Sequence, residues 1–490
     1  MGIEKLDPIL KFIPGIKKPE RPLSFREKLK WTGLIMIIYF AMFGTPAFGV
    51  NIKDLTSNPF LTILNTIFAA RIGTLMTVGI APIVLSSIVL QLLSGTGIIN
   101  MDMNNPEQKG RFQSIQKLSA IVIAFIEAAI LARSVILISQ SYYALVILQL
   151  ALGAIVVIFL DETMVKWGRT SGINLFIAGG IAYSIIAGTL TILIPEASGA
   201  IAAGGAAALS QALLYFGPLF FTIIIFMVSI YVLDMKIELP LVFSQFRGVG
   251  GRLPIPLLYI SVLPVILATS LTVSLSVWVR PLANVGGSAG NIVHFFAYFT
   301  NGTSSSGLSS GPTLSGGLLY FIQPIGFLPY STKYGGVGNY NSYFYILATQ
   351  TAPLYMPWGG APILIPEWEH FIIYTLVLVG LCVLFGKFWV EMAGMGPKNV
   401  AEQLQDIGWQ IPGFRRDPRT IESILNKYLP TITILGSIFV GLLAAFASLT
   451  GAIGNGMGIL LTAGIMYAVY QQLEQERMIE SYPTLNKLLS

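Results

Sequence analysis

"RIGTLMTVGIAPIVLSSIVLQLL", Arg71 to Leu93, is apolar enough to enter a bilayer, yet it opens on an arginine and carries Gly73, Gly79 and Pro82. Helix breakers inside such a stretch free backbone N–H and C=O groups that lipid cannot satisfy. The stretch must therefore sit where protein or a water-filled cavity meets those groups. Around it, 54% of the 490 residues are hydrophobic and 11% are charged, against about 25% charged in an ordinary soluble protein. By composition the chain is an all-α polytopic membrane protein.

A hydrocarbon core about 30 Å thick needs about 20 apolar residues per helix. Ten stretches qualify, at about 31–50, 74–94, 113–137, 142–160, 171–194, 213–233, 255–278, 370–390, 429–449 and 456–473. The eighth is the most uniformly apolar; the seventh is diluted by Thr269, Ser270, Thr272, Ser274 and Ser276. Ten crossings put both termini on one side. Of 29 lysines and arginines, 24 fall on the termini and the even-to-odd loops, leaving Lys53, Arg71, Arg133, Arg280 and Lys333. The positive-inside rule then places both ends in the cytoplasm of a cell membrane. No cleavable signal peptide is expected, because the first 30 residues hold eight Lys/Arg and no uninterrupted apolar run.

Residues 4–30 mix basic residues with Leu10, Phe12 and Ile13, which fits an amphipathic segment on an anionic membrane surface and equally a solvated basic tail. Ser24 followed by Glu27 is a capping-box pattern. The 5/6 connection, "PEASGAIAAGGAAALSQ", is almost wholly Gly, Ala and Ser, the composition of a flexible join between two five-helix halves (31–195 and 213–490, with the join at 196–212). A five-plus-five split permits an inverted repeat. The external 7/8 connection, about 279–369, is long and poor in charge; "LLYFIQPIGFLP" and "YFYILATQTAPLYMPW" in it are apolar but too short to span, as re-entrant or interfacial helices are. Asn301-Gly302-Thr303 is a glycosylation acceptor pattern.

Two cytoplasmic loops carry arginines at glycine-rich or turn-like sites: Arg247 and Arg252 in "FRGVGGR", Arg415 and Arg416 in "GFRRDPR". Guanidinium groups there suit phosphate oxygens of nucleic acid or anionic lipid; satisfying the positive-inside rule alone explains them as well. Chemistry for catalysis is missing. No phosphate loop, H-E-x-x-H or G-x-S-x-G pattern occurs, Cys382 is the only cysteine, and His294 and His370 read as ordinary loop residues, so no metal, cofactor or catalysed reaction is expected. Glu127 is the one clear intramembrane charge, with Asp161 and Glu162 at the cytoplasmic end of span four.

Several stretches together resemble the SecY family, the channel subunit of the Sec translocon, in its archaeal form: "SFREKLKWTG", "ARIGTLMTVGIAPIVLSSIVLQLL", "TSGINLFIAGG", "LPVILA", "FGKFWVE", "GFRR" and "GMGILLTAGIMYAVYQQL". The resemblance implies a clamshell around a central pore. It implies a plug at about Leu61 to Ile72, including Ala69, Ala70 and Arg71, hinged at Gly73, and a mid-membrane aliphatic ring of Ile80, Val84, Ile173, Ile177, Ile266 and Leu461. A lateral gate between spans two and three and spans seven and eight would include Gln91, Glu127 and Ser274. Arg247, Arg252, Arg415 and Arg416 would dock the ribosome. The implied partners are a SecE-like subunit, a small single-span third subunit (SecG/Sec-beta-like), signal sequences, nascent chains and membrane lipid. The 7/8 connection is longer than usual in the family, so no functional residue is carried into it. The rival reading is a secondary transporter of a small solute, with ligands near Gly79, Pro82 and Glu127.

Overall fold

The computed structural model describes residues 15–21, 23–50, 69–95, 106–134, 142–168, 171–205, 208–243, 250–258, 263–282, 287–303, 309–325, 340–406, 409–410, 418–454 and 456–481. The N-terminal helices are α1 (Phe25–Gly44), α2 (Ala81–Gly95), α3 (Pro106–Ser134), α4 (Tyr143–Trp167) and α5 (Gly172–Gly188). Short helices α6 (Ile194–Ala203) and α7 (Ala208–Tyr215) lead to α8 (Gly217–Asp234). Then come α9 (Leu263–Val279), the short helices α10 (Gly287–Phe296), α11 (Leu318–Phe321) and α12 (Tyr340–Thr349) of the 7/8 connection, and α13 (Glu367–Met392). The chain closes with α14 (Pro397–Asp406), α15 (Pro418–Leu449) and α16 (Gly456–Ser481).

Each of the ten apolar stretches contains helix, and seven helices among the described residues are long and apolar enough to cross a membrane. α2 and α16 contribute shorter apolar segments, Ala81–Ser94 and Gly456–Gln471. A single core of buried aliphatic and aromatic side chains runs from α1 through α2, α4, α5 and α9 to α13, α15 and α16. The outward residues of α8, such as Phe220, Ile223, Met227 and Tyr231, are exposed; this inverts the soluble pattern, as expected where lipid is the solvent.

The expected flexible join is helical. α5 continues through one π-helical turn (Thr189–Leu193) into α6, and the break falls at Gly204 and Gly205, with φ of +70° and +103°. Alanine-rich sequence favours helix, and glycine supplies the left-handed positions that end it.

The connections also hold strands. β1 (Lys236–Phe243) and β2 (Gly250–Pro256) form an antiparallel hairpin in the 6/7 loop, and β7 (Trp409–Gln410) of the 8/9 loop pairs with β1. In the 7/8 connection β3 (Tyr298–Thr303) pairs β4 (Ser309–Gly316), and β5 (Thr351–Leu354) pairs β6 (Ile363–Pro366). Of the two short apolar stretches there, the first forms the single turn α11, and the second forms α12 and then β5.

The capping box forms: Glu27 N–H donates to Ser24 Oγ at 3.4 Å, and Ser24 N–H donates to Glu27 Oε2 at 2.9 Å. That backbone bond holds the Glu27 carboxyl below its usual pKa. Residues 15–18 are mostly exposed, yet their backbone is tied to α4. Ile16 N–H donates to Glu162 Oε1 at 3.0 Å, and Trp167 Nε1–H donates to the Lys17 carbonyl at 2.9 Å. Glu162 also pairs with Lys117 and Lys166, each at 2.6 Å, so this stretch is stapled to α3 and the C-terminal end of α4.

Candidate functional site

The quoted stretch is two structures in series. Residues 69–80 are turns, and α2 begins only at Ala81, so Pro82 is its second residue, where a missing N–H costs nothing. It starts the helix instead of bending it. Fifteen residues of helix rise about 22 Å, short of a core about 30 Å thick; buried turns cover the rest. Gly73 and Gly79 take φ of +88° and +59°, the left-handed values the reversal needs. Threonine hydroxyls replace the missing helical bonds. Thr77 Oγ1 accepts from Gly73 N–H at 3.1 Å, and Thr74 Oγ1 donates to the Arg71 carbonyl at 2.7 Å.

Three neighbours pin these turns. From α1, Tyr39 OH donates to the Ala69 carbonyl at 2.9 Å, both residues being fully buried. The Tyr39 ring stacks on Phe176 of α5, 4.7 Å between centroids and 10° between planes. Arg71 lies 5.7 Å from the rings of both Phe43 and Tyr183. On α4, a Cβ at Gly153 would stand 2.0 Å from the Leu75 carbonyl oxygen, so only glycine allows that approach. Ala69 itself holds φ +48°, the one positive-φ non-glycine among the described residues. Such a conformation costs of order 1–3 kcal/mol and persists only where surroundings impose it. Leu61 and the rest of 51–68 lie outside the described residues.

The six aliphatic positions all belong to the main core or pack against it. Ile80, Val84, Ile177, Ile266 and Leu461 are buried in one cluster, and the half-buried Ile173 packs against it. Asp161 sets the α5 pair: its Oδ1 accepts from Ile173 N–H at 2.9 Å, capping the helix that carries Ile173 and Ile177. Sequence reading noted Asp161 as a charge and missed this role, which depends on a turn that brings α4's end back to α5's start.

α2 packs against α3, α9 and α13, so the two sides of the expected gate are in contact. Gln91 and Glu127 are 2% and 3% exposed, and Ser274 is 2% exposed. Gln91 Oε1, Glu127 Oε2, Ser270 Oγ and Ser274 Oγ have no hydrogen-bond partner among the described residues. The seam is thus closed by packing over these oxygens. Among the described residues no group of His, Cys, Asp and Glu is arranged to hold a metal.

A family model, SecY, matches residues 74–470. The chain is 35% identical over 99% of its length to the protein translocase subunit SecY of Methanococcus vannielii and 34% identical over its full length to that of Methanocaldococcus jannaschii, covering 99% and 100% of those chains. This chain belongs to the SecY family. The solved structure of a protein-conducting channel overlays with a TM-score of 0.75 at 34% identity, covering 97% of this chain and 98% of the other. A second, at TM-score 0.73, 33% identity and the same coverage, is of a SecY whose plug domain stabilises the closed state and maintains a membrane seal. Sec61 in a canine ribosome-channel complex overlays at 0.72 with 32% identity and again the same coverage.

In this SecY-family fold, the sheet order β2-β1-β7 joins the 6/7 and 8/9 loops. Arg252 lies on β2, opposite Pro240. Arg247, Arg415 and Arg416 fall outside the described residues.

Proposed function

We propose that this chain is the pore-forming subunit of a protein translocase, conducting unfolded secretory chains across a cell membrane and releasing apolar segments sideways into lipid. The observation that carries this reading is the interrupted second span. A strained turn and a short helix carry buried aliphatic positions in a membrane fold that belongs to the SecY family, which supports a path lined by those positions. Lipid forbids irregular backbone, and an interior path requires it.

In this reading residues 61–72 plug the path, with Tyr39 and Arg71 holding the plug's end against α1 and α5. Ile80, Val84, Ile173, Ile177, Ile266 and Leu461 form the seal. Aliphatic side chains exclude ions by dewetting, yet yield around a passing chain because they offer no fixed polar partner. The gate parts where α2 and α3 meet α9 and α13. Each buried oxygen left unpaired there costs about 1–3 kcal/mol. Closure is therefore stable enough to hold and poor enough to lose to a signal sequence burying about 20 apolar residues.

Ten crossings, cytoplasmic termini and two five-helix halves complete the architecture. The chain conducts passively, with the driving force supplied by a partner. Arg247, Arg252, Arg415 and Arg416 dock a ribosome through RNA phosphates; the related Sec61 is in a ribosome-channel complex, and the sheet β2-β1-β7 holds both loops as one platform. A SecE-like clamp and a small single-span subunit complete the assembly.

Reconstitution tests the function. Purified complex in proteoliposomes should protect a secretory chain from protease only when the chain carries a signal sequence. Protection without a signal, or saturable uptake of a small solute in place of protein transport, would refute the reading and favour the transporter.

A further inference from the structure

A buried polar circuit joins α9, the segment after α11 and α13, meeting α9 at Thr272 and Ser276 on either side of Ser274. Just after α11, Gln323 turns its side-chain amide to α9, donating to the Thr272 carbonyl at 3.3 Å and to Ser276 Oγ. Its backbone carbonyl faces His370 Nε2 of α13 at 3.1 Å. His370 Nδ1 lies 2.8 Å from Glu367 Oε2, and Glu367 Oε1 accepts from Tyr320 OH at 2.6 Å. Gln323, Glu367 and His370 are 6%, 2% and 1% exposed, so His370 is a core residue and not the loop residue its sequence context indicates. A carbonyl oxygen only accepts, so the Gln323 contact requires a proton on Nε2. The Nδ1 contact then needs one more proton, on either the ring or the carboxyl.

Gln323 is the one residue of this circuit that bonds both helices: its side chain holds α9 and its backbone holds α13. α9 and α13 also pack directly on each other, and the two links are in series, so losing either one removes the polar bridge between them. The contrast with the seam is sharp. At the α2–α9 contact, Gln91 Oε1 and Ser274 Oγ lack partners among the described residues, whereas here the amide, both ring nitrogens and both carboxylate oxygens are engaged.

We propose that Gln323 and His370 are positioning residues that couple α9 to α13 at the outer face, so that the two helices move as one body and the gate parts along the α2–α9 seam. The inference rests on the channel reading above. It gives the external connection a mechanical role, a strap between the two helices it joins.

The test is pulsed dipolar spectroscopy on full-length chain, assembled with its partner subunits in lipid nanodiscs and with Cys382 replaced. Spin labels at Trp278 and Ile372 report the α9–α13 distance; labels at Phe125 and Trp278 report the distance across the seam. With native Gln323 and His370, a signal peptide should lengthen the seam distance and leave the α9–α13 distance narrow. Gln323→Met, which keeps volume but removes the donor, should add a longer α9–α13 population in the resting state. His370→Phe should do the same, and the double variant should match either single, as links in series require. Tyr320→Phe leaves both links intact and should leave the distribution narrow. An unmoved α9–α13 distance in both single variants, additive effects in the double, or equal broadening by Tyr320→Phe would overturn the strap. If Gln323→Met does not assemble, His370→Phe against Tyr320→Phe decides by the same criterion. A seam that ignores the signal peptide would instead refute the channel reading, and the resting-state comparison still tests the strap.

Discussion

Replacing Tyr39 by Phe removes one oxygen from the bond that holds the turn at Ala69, and little else. The ring stack on Phe176, 4.7 Å away and nearly parallel, survives in the variant, so α1 and α5 stay packed. What is lost is the 2.9 Å bond to the Ala69 carbonyl, which is then buried without its donor. An unsatisfied buried acceptor costs about 1–3 kcal/mol. Ala69 already holds a left-handed backbone that no glycine relieves. Because the cost falls on the seated plug and vanishes when it swings away, the seated-to-displaced equilibrium should shift by about 5- to 150-fold. Single-channel recording of purified complex in planar bilayers, with no substrate present, reads that equilibrium as spontaneous ion-conducting events. Tyr39→Phe should raise their frequency at least several-fold at unchanged single-event conductance, because the ring that sets the diameter is untouched. A variant as silent as the native channel, with the same thermal stability, would refute the reasoning that this bond seats the plug.

Gln91→Leu or Ser274→Leu removes an unpaired oxygen from the closed seam and should stabilise closure by up to about 1–3 kcal/mol; export of substrates with weak signal sequences should fall about tenfold while strong signals are little affected, and unchanged or improved weak-signal export would count against the gate assignment. Reversing the charges of Arg247, Arg252, Arg415 and Arg416 together should abolish ribosome binding and flatten its salt dependence, since each phosphate contact contributes about 0.7–0.9 to the slope of log affinity against log salt; retained binding in a pelleting assay would sink the docking platform. Asp161→Ala uncaps α5 and should lower stability by about 0.5–2 kcal/mol, read as a lower Tm, whereas Asp161→Asn, which keeps an acceptor for Ile173 N–H, should recover most of it.

Much of the fold was legible because a bilayer imposes a simple rule. Runs of apolar residues at about 31–50 and 370–390 had to be helices; the second lies wholly within one, and the first is helical as far as Gly44. The interruption at Gly73 was legible too, since positive φ there follows from glycine's freedom, and Pro82 marked a boundary. Its sense was harder to read: a proline bends a helix or begins one, and only the buried Thr74 and Thr77 bonds show that turns fill the missing length. The 5/6 connection misled because Ala and Gly have opposite helix preferences and sit together there; alanine prevailed through 194–203, and Gly204–Gly205 ended it. The β1–β7 pairing was invisible, since it joins residues more than 160 positions apart with no alternating pattern to announce it. His370 was misread for a related reason. Its partners, Gln323 and Tyr320, come from the far side of a long connection, and no local spacing links them. The proposed ring residues carried no signal of their own, because aliphatic pairs spaced i, i+4 are ordinary packing in any membrane helix; the resemblance alone chose them.

The central claim, that a polypeptide passes through the ring, is tested most directly by site-specific photocrosslinking. With Cys382 replaced, a single photoreactive probe at Ile80 or Ile177 is exposed to stalled secretory chains with and without a signal sequence, in the presence of the partner subunits. The account predicts adducts at both positions that require the signal. Absence of adducts at both, in complexes that bind the same chains, would contradict it.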